Sequence, residues 1–266
     1  MLDRYNRDIN YLRISVTDRC NLKCVYCFPK DECIKYIKND DLISFEKITD
    51  IVKEAVKLGI TKIRLTGGEP LLRENIEDLV YKLSHIKGIE HIGLTTNGFL
   101  LSDKIAVLKK NGLNSVNISL DTLNREKYKL IKGKDYINKV LSAIDKALEL
   151  DMSVKINMVI CSDTSEKDIL SMKEFCIRKG IKLQMINHYS LNCKKNNDYI
   201  FDRPPKCANC NRIRLLSDGR LKPCLFSNKE ISIDDTDISE AIKRTVESKP
   251  KNASKCDNRK IFQIGG

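Results

Sequence analysis

Residues 11–27 read YLRISVTDRCNLKCVYC, and this stretch decides how the rest of the chain is interpreted. Its first part, Tyr11–Val16, alternates apolar and polar residues and is rich in β-branched side chains, which predicts a β-strand. Directly after the strand, Cys20, Cys24 and Cys27 form a C-x3-C-x2-C pattern. A zinc site normally needs four ligands, whereas a [4Fe–4S] cluster held by three cysteines leaves one iron open. A zinc site with a remote fourth ligand, or three unrelated thiols, remain alternatives.

Strand-like and helix-like segments alternate over the next part of the chain. Parallel strands need crossover connections, so six strands alternating with helices predict parallel pairing. Eight such units would close a full barrel, and six predict an open one. The fold class is therefore α/β, a partial (β/α)6 TIM-type barrel over residues 1–191, with a small C-terminal extension over residues 192–266. The other five strands are predicted at Lys62–Leu65, His91–Thr95, Ser115–Leu120, Val154–Ile160 and Ile181–Ile186, and the helices at Phe45–Leu58, Asn75–Ile86, Asp103–Lys110, Asn138–Leu150 and Ser165–Lys179.

Composition narrows the function classes. The 266 residues carry a formal net charge of +12, and 11 of them are cysteines. No apolar run approaches the length of about 18 residues needed for a membrane span, and the N-terminus lacks the apolar core of a secretory signal. We therefore expect a cytoplasmic protein, in which many thiols indicate metal ligation rather than disulfides. The positive charge indicates either a basic surface alone or a polyanionic partner, a nucleic acid or a phosphorylated small molecule.

A glycine motif follows the second predicted strand. Gly67 and Gly68 precede Glu69 and Pro70, and glycines at the end of a strand let the backbone approach a ligand. Glu69 offers an acceptor for an ammonium group. A simple turn is the alternative. Polar residues also end the third and fourth strands, at Thr95–Asn97 and Ser119.

A second cysteine group lies in the extension. Cys207, Cys210 and Cys224 have C-x2-C-x13-C spacing, and Leu215–Pro223 predicts a hairpin between them. Either a zinc ribbon completed by Cys256 or a second three-cysteine [4Fe–4S] cluster explains this spacing. Arg212 and Arg214 alternate around Ile213, so in a strand both guanidinium groups project to one side, where they suit a polyphosphate. A solvated basic pair is the alternative.

The C-x3-C-x-Y-C and GGEP motifs together resemble those of the radical S-adenosylmethionine (radical SAM) superfamily, whose shared fold is a six-unit partial barrel. The resemblance implies that SAM binds the open iron of the first cluster and is cleaved by one electron to a 5′-deoxyadenosyl radical. It assigns the first cluster to Cys20, Cys24 and Cys27. It implies SAM contacts for Tyr26, Gly67, Gly68, Glu69 and Ser119.

The stretches LRISVTDRCN and KIRLTGGEPLLR, the C-x2-C-x-R-x-R motif and the terminal Gly-Gly narrow this to a resemblance to the GTP 3′,8-cyclase family, over about residues 4–266. It implies a lyase that converts GTP to (8S)-3′,8-cyclo-7,8-dihydroguanosine 5′-triphosphate, the first step of molybdenum cofactor (molybdopterin) biosynthesis. It also implies a second [4Fe–4S] cluster on Cys207, Cys210 and Cys224. Catalytic roles fall to Arg212, Arg214, Gly265 and Gly266, and GTP contacts to Arg13, Lys62, Arg64, Thr95, Lys155, Arg212 and Arg214.

The resemblance carries partner expectations as well. It implies a reduced flavodoxin or ferredoxin as electron donor and a cyclic pyranopterin monophosphate synthase downstream, with no nucleic-acid or membrane partner, in a monomer or homodimer. Two departures stand out: the segment of about Leu191–Lys206 is shorter than in the family, and Asn187 replaces a carboxylate. The alternatives are a radical SAM peptide maturase and a zinc-bearing nucleic-acid-binding module. We expect no ligand role for Cys33, Cys161, Cys176, Cys193 or Cys256.

Overall fold

A single mixed sheet organises the molecule. The computed structural model describes residues 1–28, 36–195, 200–201, 203–234 and 237–265. The sheet order is β6-β5-β4-β3-β2-β1-β7-β8, and β1 to β6 pair in parallel with their sequence neighbours, as predicted. The strands are β1 (Tyr11–Ser15), β2 (Lys62–Thr66), β3 (His91–Thr96), β4 (Ser115–Ser119), β5 (Ser153–Ile160), β6 (Lys182–Asn187), β7 (Arg212–Leu215) and β8 (Leu221–Lys222).

Helices connect the parallel strands, and the five predicted helices are confirmed as α1, α2, α3, α5 and α6. Local capping explains two of the starts: the Ser44 hydroxyl accepts a hydrogen bond from the Lys47 amide, and Ser165 forms a capping box with Asp168. The sequence did not predict α4, α7 or α8. The helices are α1 (Phe45–Lys57), α2 (Ile76–Ser84), α3 (Leu101–Lys110), α4 (Arg125–Lys132), α5 (Ile137–Glu149), α6 (Glu166–Arg178), α7 (Ile238–Glu247) and α8 (Ile261–Ile264). Among the described residues, no helix has the length and apolar character needed to cross a bilayer.

Strand alternation separates two faces of the sheet. Leu12 and Ile14 of β1, with the equivalent residues of the next strands, join the main hydrophobic core under the helices. The residues between them point the other way because successive side chains alternate across a strand. The register places Arg13 beside Arg64 and Arg64 beside Gly93. Charged side chains of neighbouring strands therefore lie next to each other on the inner face of the sheet. The barrel interior is therefore a polar site rather than a packed core.

The C-terminal extension contributes to the same sheet. β7 pairs in parallel with β1, and β8 returns antiparallel to β7, which confirms the predicted hairpin. Ile213 and Leu215 are buried in the main core, which explains why β7 extends the sheet. A second, smaller hydrophobic cluster, centred on Leu216, Phe226 and Ile264, stabilises the remaining part of the extension.

Candidate active site

Three adjoining cavities lie on the inner face of the sheet. The first, about 150 Å³, is lined by Cys20, Cys24 and Cys27, and the third, about 60 Å³, by Cys207, Cys210 and Cys224. The second, about 1080 Å³, lies between them and shares lining residues with both. The structure thus brings each predicted cysteine trio to its own cavity and places both trios beside one large site.

Each cysteine trio borders its own cavity. Within the described residues, no three Cys, His or acidic side chains converge on a point that one metal ion could occupy. In a multi-iron cluster the cysteine ligands bind separate irons, so three thiols need not converge on one point. Burial raises the pKa of Cys20 to about 11, and a hydrogen bond from Cys27 lowers the pKa of Cys24. Cys256 is buried in the same smaller core cluster as Cys207 and does not line the third cavity.

Gly67 and Gly68 line the first cavity, and their small size also permits a close approach within the protein. A Cβ on Gly67 would lie 2.3 Å from the Thr17 carbonyl oxygen, and one on Gly68 would lie 2.2 Å from that of Arg19. The Gly68 amide donates to Thr17 and the Glu69 amide to Arg19, at 2.8 and 2.7 Å. The two glycines therefore let the turn after β2 pack directly on the backbone that leads into the first cysteine trio.

Glu69 acts inside the protein rather than at the cavity wall. Its side chain is fully buried and does not line the first cavity. Its oxygens accept hydrogen bonds from the Leu71 amide, the Thr96 hydroxyl and the Asn97 amide, at 3.1, 2.7 and 2.7 Å. Burial raises the pKa of Glu69 to about 7 despite these donors. The carboxylate thus joins the loops after β2 and β3.

Two buried oxygen atoms at the first cavity have no hydrogen-bond partner among the described residues. Tyr26, Ser119, Thr95 and Asn157 all line it. Among the described residues, neither Thr95 Oγ1 nor Asn157 Oδ1 has a hydrogen-bond partner, although both atoms are buried. Buried polar atoms are normally paired, so these two indicate a polar ligand here. The resemblance assigned Thr95 to the GTP contacts, whereas the structure places it at the first cavity and not at the second.

The second cavity is strongly basic. All the cations that the resemblance assigned to GTP line it, and the described residues of its wall include no Asp or Glu. The sequence analysis missed three further lysines and arginines from the segment before β7, together with Tyr11, Asn157 and Tyr189. Tyr11 had a signal, because it precedes Arg13 by two residues and so shares its face of β1. The lining cations are Arg13, Lys62, Arg64, Lys155, Lys195, Arg203, Lys206, Arg212 and Arg214.

Strand register concentrates these cations. Arg13 lies between Arg64 on β2 and Arg214 on β7, and Tyr11 lies between Lys62 and Arg212. Burial lowers the pKa values of Arg13, Arg212 and Arg214 to about 10, so all three remain charged at neutral pH. Like charges buried so close together are costly without a counter-charge, which points to an anionic ligand.

Gly93 gives Arg64 its place across the sheet. A Cβ on Gly93 would lie 2.5 Å from Arg64 Nη2. The guanidinium group crosses β3 at this glycine and donates to the Leu94 carbonyl at 3.1 Å, and its Nε donates to the Tyr11 hydroxyl at 2.7 Å. The missing side chain therefore positions a cation of the second cavity.

Cations and amides surround the second cysteine trio. Lys249 donates to Cys210 Sγ at 3.6 Å and to the carbonyls of Arg212 and Pro223 at 2.7 and 2.9 Å. The Ala253 amide donates to Cys207 Sγ at 3.2 Å. Hydrogen bonds to sulfur stabilise thiolate ligands and tune iron–sulfur clusters. Lys249 could not be identified from the sequence, because it lies outside every motif.

Asn187 has a defined role despite its departure from the family pattern. Its Nδ2 donates to the carbonyls of Phe201 and Arg203, at 2.8 and 2.6 Å, and its own amide donates to Arg203 at 2.9 Å. A carboxylate could not donate these bonds. Asn187 therefore holds the short segment before the second cysteine trio against the end of β6.

The C-terminal tail reaches the arginines. The Gly265 carbonyl accepts from Arg13 at 3.0 Å and from Arg214 at 2.7 Å. Phe262 stacks on Phe28, just after the first trio, with ring centroids 4.5 Å apart. The tail thus contacts lining residues of the second cavity through Gly265 and lines the first cavity through Phe262. The predictions for Gly266 and Cys33 concern residues outside the described part of the chain.

The relatives in sequence agree with this geometry. The family model of the radical SAM superfamily matches residues 14–176. "GTP 3′,8-cyclase" from Clostridium perfringens strain SM101 is 37% identical, and the same-named protein of Campylobacter jejuni strain 81116 is 36% identical, each with 100% of both chains covered. The Clostridium alignment spans 324 positions, so it contains gaps opposite this chain.

The relatives in structure agree on the fold. Streptococcus suis SuiB bound to S-adenosylmethionine has a TM-score of 0.70 at 19% identity, with 88% of this chain and 65% of that chain covered. Native anSMEcpe with bound AdoMet has a TM-score of 0.66 at 20% identity, with 91% and 81% covered. The family model and the full-length sequence relatives, with which the cysteine trio and the six-unit barrel agree, establish that the chain belongs to the GTP 3′,8-cyclase family of the radical SAM superfamily.

Proposed function

We propose that this protein is a GTP 3′,8-cyclase, which converts GTP to (8S)-3′,8-cyclo-7,8-dihydroguanosine 5′-triphosphate in the first step of molybdenum cofactor biosynthesis. The observation that carries the proposal is a large cavity, walled by nine cations, between two cysteine trios. Full-length relatives that bear the cyclase name support the substrate. They also make a peptide maturase or a nucleic-acid-binding module the weaker alternative.

The first cavity is the proposed SAM site. Cys20, Cys24 and Cys27 hold a [4Fe–4S] cluster there, and Tyr26 and Ser119 border the ligand. When bound, the cluster and SAM supply the radical chemistry that removes the hydrogen from ribose C3′. The buried, unpartnered oxygens of Thr95 and Asn157 can accept from SAM hydrogen-bond donors. We assign Gly67 and Gly68 to the cavity wall, and Glu69 to holding their turn.

The second cavity is the proposed GTP site. Arg13, Arg64 and Lys155 bind the triphosphate from three strands, together with Lys62. Arg212 and Arg214 bind GTP beside a second cluster on Cys207, Cys210 and Cys224, and so orient the guanine base toward the ribose. The Gly265 carbonyl keeps Arg13 and Arg214 in place. We assign Gly265 and Gly266 a catalytic role in this site.

The partners follow from the same chemistry. One-electron cleavage needs a reductant, and we propose a reduced flavodoxin or ferredoxin in this role. We propose that the product passes to a cyclic pyranopterin monophosphate synthase, and that the protein works in the cytoplasm as a monomer or homodimer.

The direct test is anaerobic incubation with GTP, SAM and dithionite, followed by mass spectrometry. We expect 5′-deoxyadenosine and an isomer of GTP, and about eight irons per chain in two [4Fe–4S] clusters. Arg212→Ala and Arg214→Ala should stop cyclisation while SAM is still cleaved. Arg178→Ala, which removes an exposed arginine of α6, is the matched control. Four irons with retained zinc, or normal cyclisation by both arginine variants, would contradict the proposal.

A further inference from the structure

A buried ion pair lies directly behind the first cysteine trio. Lys132 is the last residue of α4, and Asp121 follows β4. Lys132 Nζ and Asp121 Oδ2 are 2.6 Å apart, and their side chains are only 1% and 3% exposed. Burying two charges carries a large desolvation cost, and apolar residues of similar volume often replace such pairs without loss of stability. The position of this pair therefore calls for a reason other than packing.

The pair is connected to the motif through Tyr26. The Tyr26 hydroxyl donates to Asp121 Oδ2 at 2.7 Å, and Lys132 Nζ donates to the Tyr26 hydroxyl at 2.7 Å. The second oxygen of Asp121 accepts from the Val159 amide at 2.8 Å, which fixes the carboxylate to β5. Tyr26 lies between two cysteines of the trio in sequence. Its hydroxyl is held by a closed network with Asp121 and Lys132, and Val159 of β5 anchors Asp121.

The end of α4 also holds the backbone of the cysteine loop. The Lys23 amide donates to the Lys132 carbonyl at 3.2 Å, and the Val25 amide donates to the Ile131 carbonyl at 3.0 Å. These bonds use carbonyls of the last turn, which have no partner inside the helix. Lys132 therefore contacts the loop through its backbone and, by way of Tyr26, through its side chain.

The two charges differ in what they face. Lys132 lines the first cavity together with Cys20, Cys24 and Cys27, and Asp121 does not. The positive end of the pair thus belongs to the wall of the cavity that the three thiols also line. The negative end is turned away, toward β5.

We propose that Lys132 and Asp121 are positioning residues that set the reduction potential of the first cluster and fix Tyr26 beside SAM. The proposal rests on the proposed function, in that Cys20, Cys24 and Cys27 hold the cluster. Three thiolates make such a centre net negative, and one-electron reduction adds a further negative charge. A cation at the cavity wall therefore stabilises the reduced form, and the anion behind it moderates that effect.

The proposal predicts shifts of opposite sign. Lys132→Met removes the positive charge and should lower the potential of the first cluster. Asp121→Asn removes the negative charge, keeps the side-chain shape and should raise the potential. Each shift should be about tenfold in the reduction equilibrium, which corresponds to about 59 mV for one electron. Simple loosening of the loop would move both variants in the same direction.

The experiment is an anaerobic potentiometric titration followed by electron paramagnetic resonance, on the full chain with reconstituted clusters. Lys104→Met is the matched control, because Lys104 pairs with Glu77 at 3.0 Å and lines none of the three cavities. The Cys207→Ala background removes a proposed ligand of the second cluster, so the signal of the first cluster is read alone. Iron content and SAM affinity are measured on each variant.

Opposite shifts with an unmoved control support the proposal. Equal shifts in one direction, or no shift in either variant, overturn it. If Lys132→Met does not retain its iron, Asp121→Asn decides: an upward shift supports the proposal, and a downward or absent shift overturns it. Absence of a cluster on Cys20, Cys24 and Cys27 in the unchanged chain would overturn the proposed function itself, whereas a normal cluster with unmoved potentials would overturn only this inference.

Discussion

The position of the Arg64 guanidinium group depends on the absence of a side chain at Gly93. Gly93 has no side chain at the point where the guanidinium group crosses β3, and the Arg64 Nε also donates to Tyr11. The atoms nearest to the missing Cβ are the far end of a long side chain, so a methyl group there would displace the guanidinium group rather than the backbone. This separates an effect on the site from an effect on stability.

Gly93→Ala should weaken GTP binding about tenfold, as expected for loss of one charge-assisted contact, while the free energy of unfolding changes by less than about 1 kcal/mol. Calorimetric titration with GTP and urea unfolding measure the two quantities. In an Arg64→Ala background the same substitution should have no further effect on binding, because the two residues act through one contact. Additive losses would show that Gly93 acts independently of Arg64.

The carboxyl group of Glu69 is buried, and burial disfavours its charged form. Its pKa is about 7 in the folded chain, against an ordinary value of 4.5, because it is buried. The folded state therefore binds more protons than the unfolded state between these two values. The contribution of Glu69 to stability is accordingly present at low pH and is lost as the pH rises from about 4.5 to about 7.

Glu69→Gln provides the reference, because its side chain does not titrate. Relative to this variant, we expect the free energy of unfolding of the cluster-free chain to fall by about 2 kcal/mol between pH 5 and pH 8. Urea unfolding of both proteins at the two pH values gives the difference. A constant difference across this range would mean that Glu69 keeps its ordinary pKa in the folded chain.

The elements that could be predicted from the sequence are those with a local pattern. The six parallel strands and five of the helices show clear periodicity, and Ser217-Asp218-Gly219 indicates the hairpin. The helix α4 was missed because its sequence, REKYKLIK, is dominated by charge, and its two buried residues, Tyr128 and Lys132, include a lysine. Lys132 is buried because it pairs with Asp121, and that is a tertiary contact that periodicity cannot show.

The pairing of β7 with β1 was not predictable for a related reason. It joins segments far apart in sequence, so no local signal specifies it. The cysteine trios were identified from their spacing, and the strand cations from the motifs that carry the family resemblance. Lys249, Asn157 and the cations before β7 belong to no motif, and only the fold shows that they line the cavities.

The short segment between β6 and β7 depends on one amide. Asn187→Asp would place a carboxylate oxygen against the carbonyls of Phe201 and Arg203, in place of a donor. We expect a loss of about 2 kcal/mol in stability and weaker GTP binding, since Phe201 and Arg203 line the second cavity. Thermal unfolding and GTP titration test this. Asn192→Asp, on the same segment, is a control, and equal effects of the two substitutions would contradict a specific role for Asn187.

The whole molecule concentrates positive charge in its interior. Nine cations line the second cavity, six from strands and three from the segment before β7, and the described lining residues include no carboxylate. Their mutual repulsion is a cost of the ligand-free state, and an anion that binds only the folded chain relieves it. The overall charge of +12 is thus partly explained by a site and not only by a basic surface.

Inorganic triphosphate should therefore stabilise the chain even without the nucleoside. At a triphosphate concentration of about 100 times its dissociation constant, the free energy of unfolding should rise by about 2.7 kcal/mol. This increase should fall steeply near 1 M salt, where the screening length is about 3 Å. Thermal unfolding at low and high salt measures both effects. The same gain in an Arg64→Ala/Arg214→Ala chain would place the anion elsewhere.

The position of β7 beside β1 also has a consequence for synthesis of the chain. The first strand emerges from the ribosome early, but its second neighbour arrives only after some two hundred further residues, as the Asn211–Asn10 hydrogen bond across 201 residues shows. Until then β1 is an open sheet edge, able to pair with a strand of another chain. β1 therefore gains its second neighbour only late in synthesis. A product truncated after β6 would keep the edge of β1 exposed and prone to aggregation.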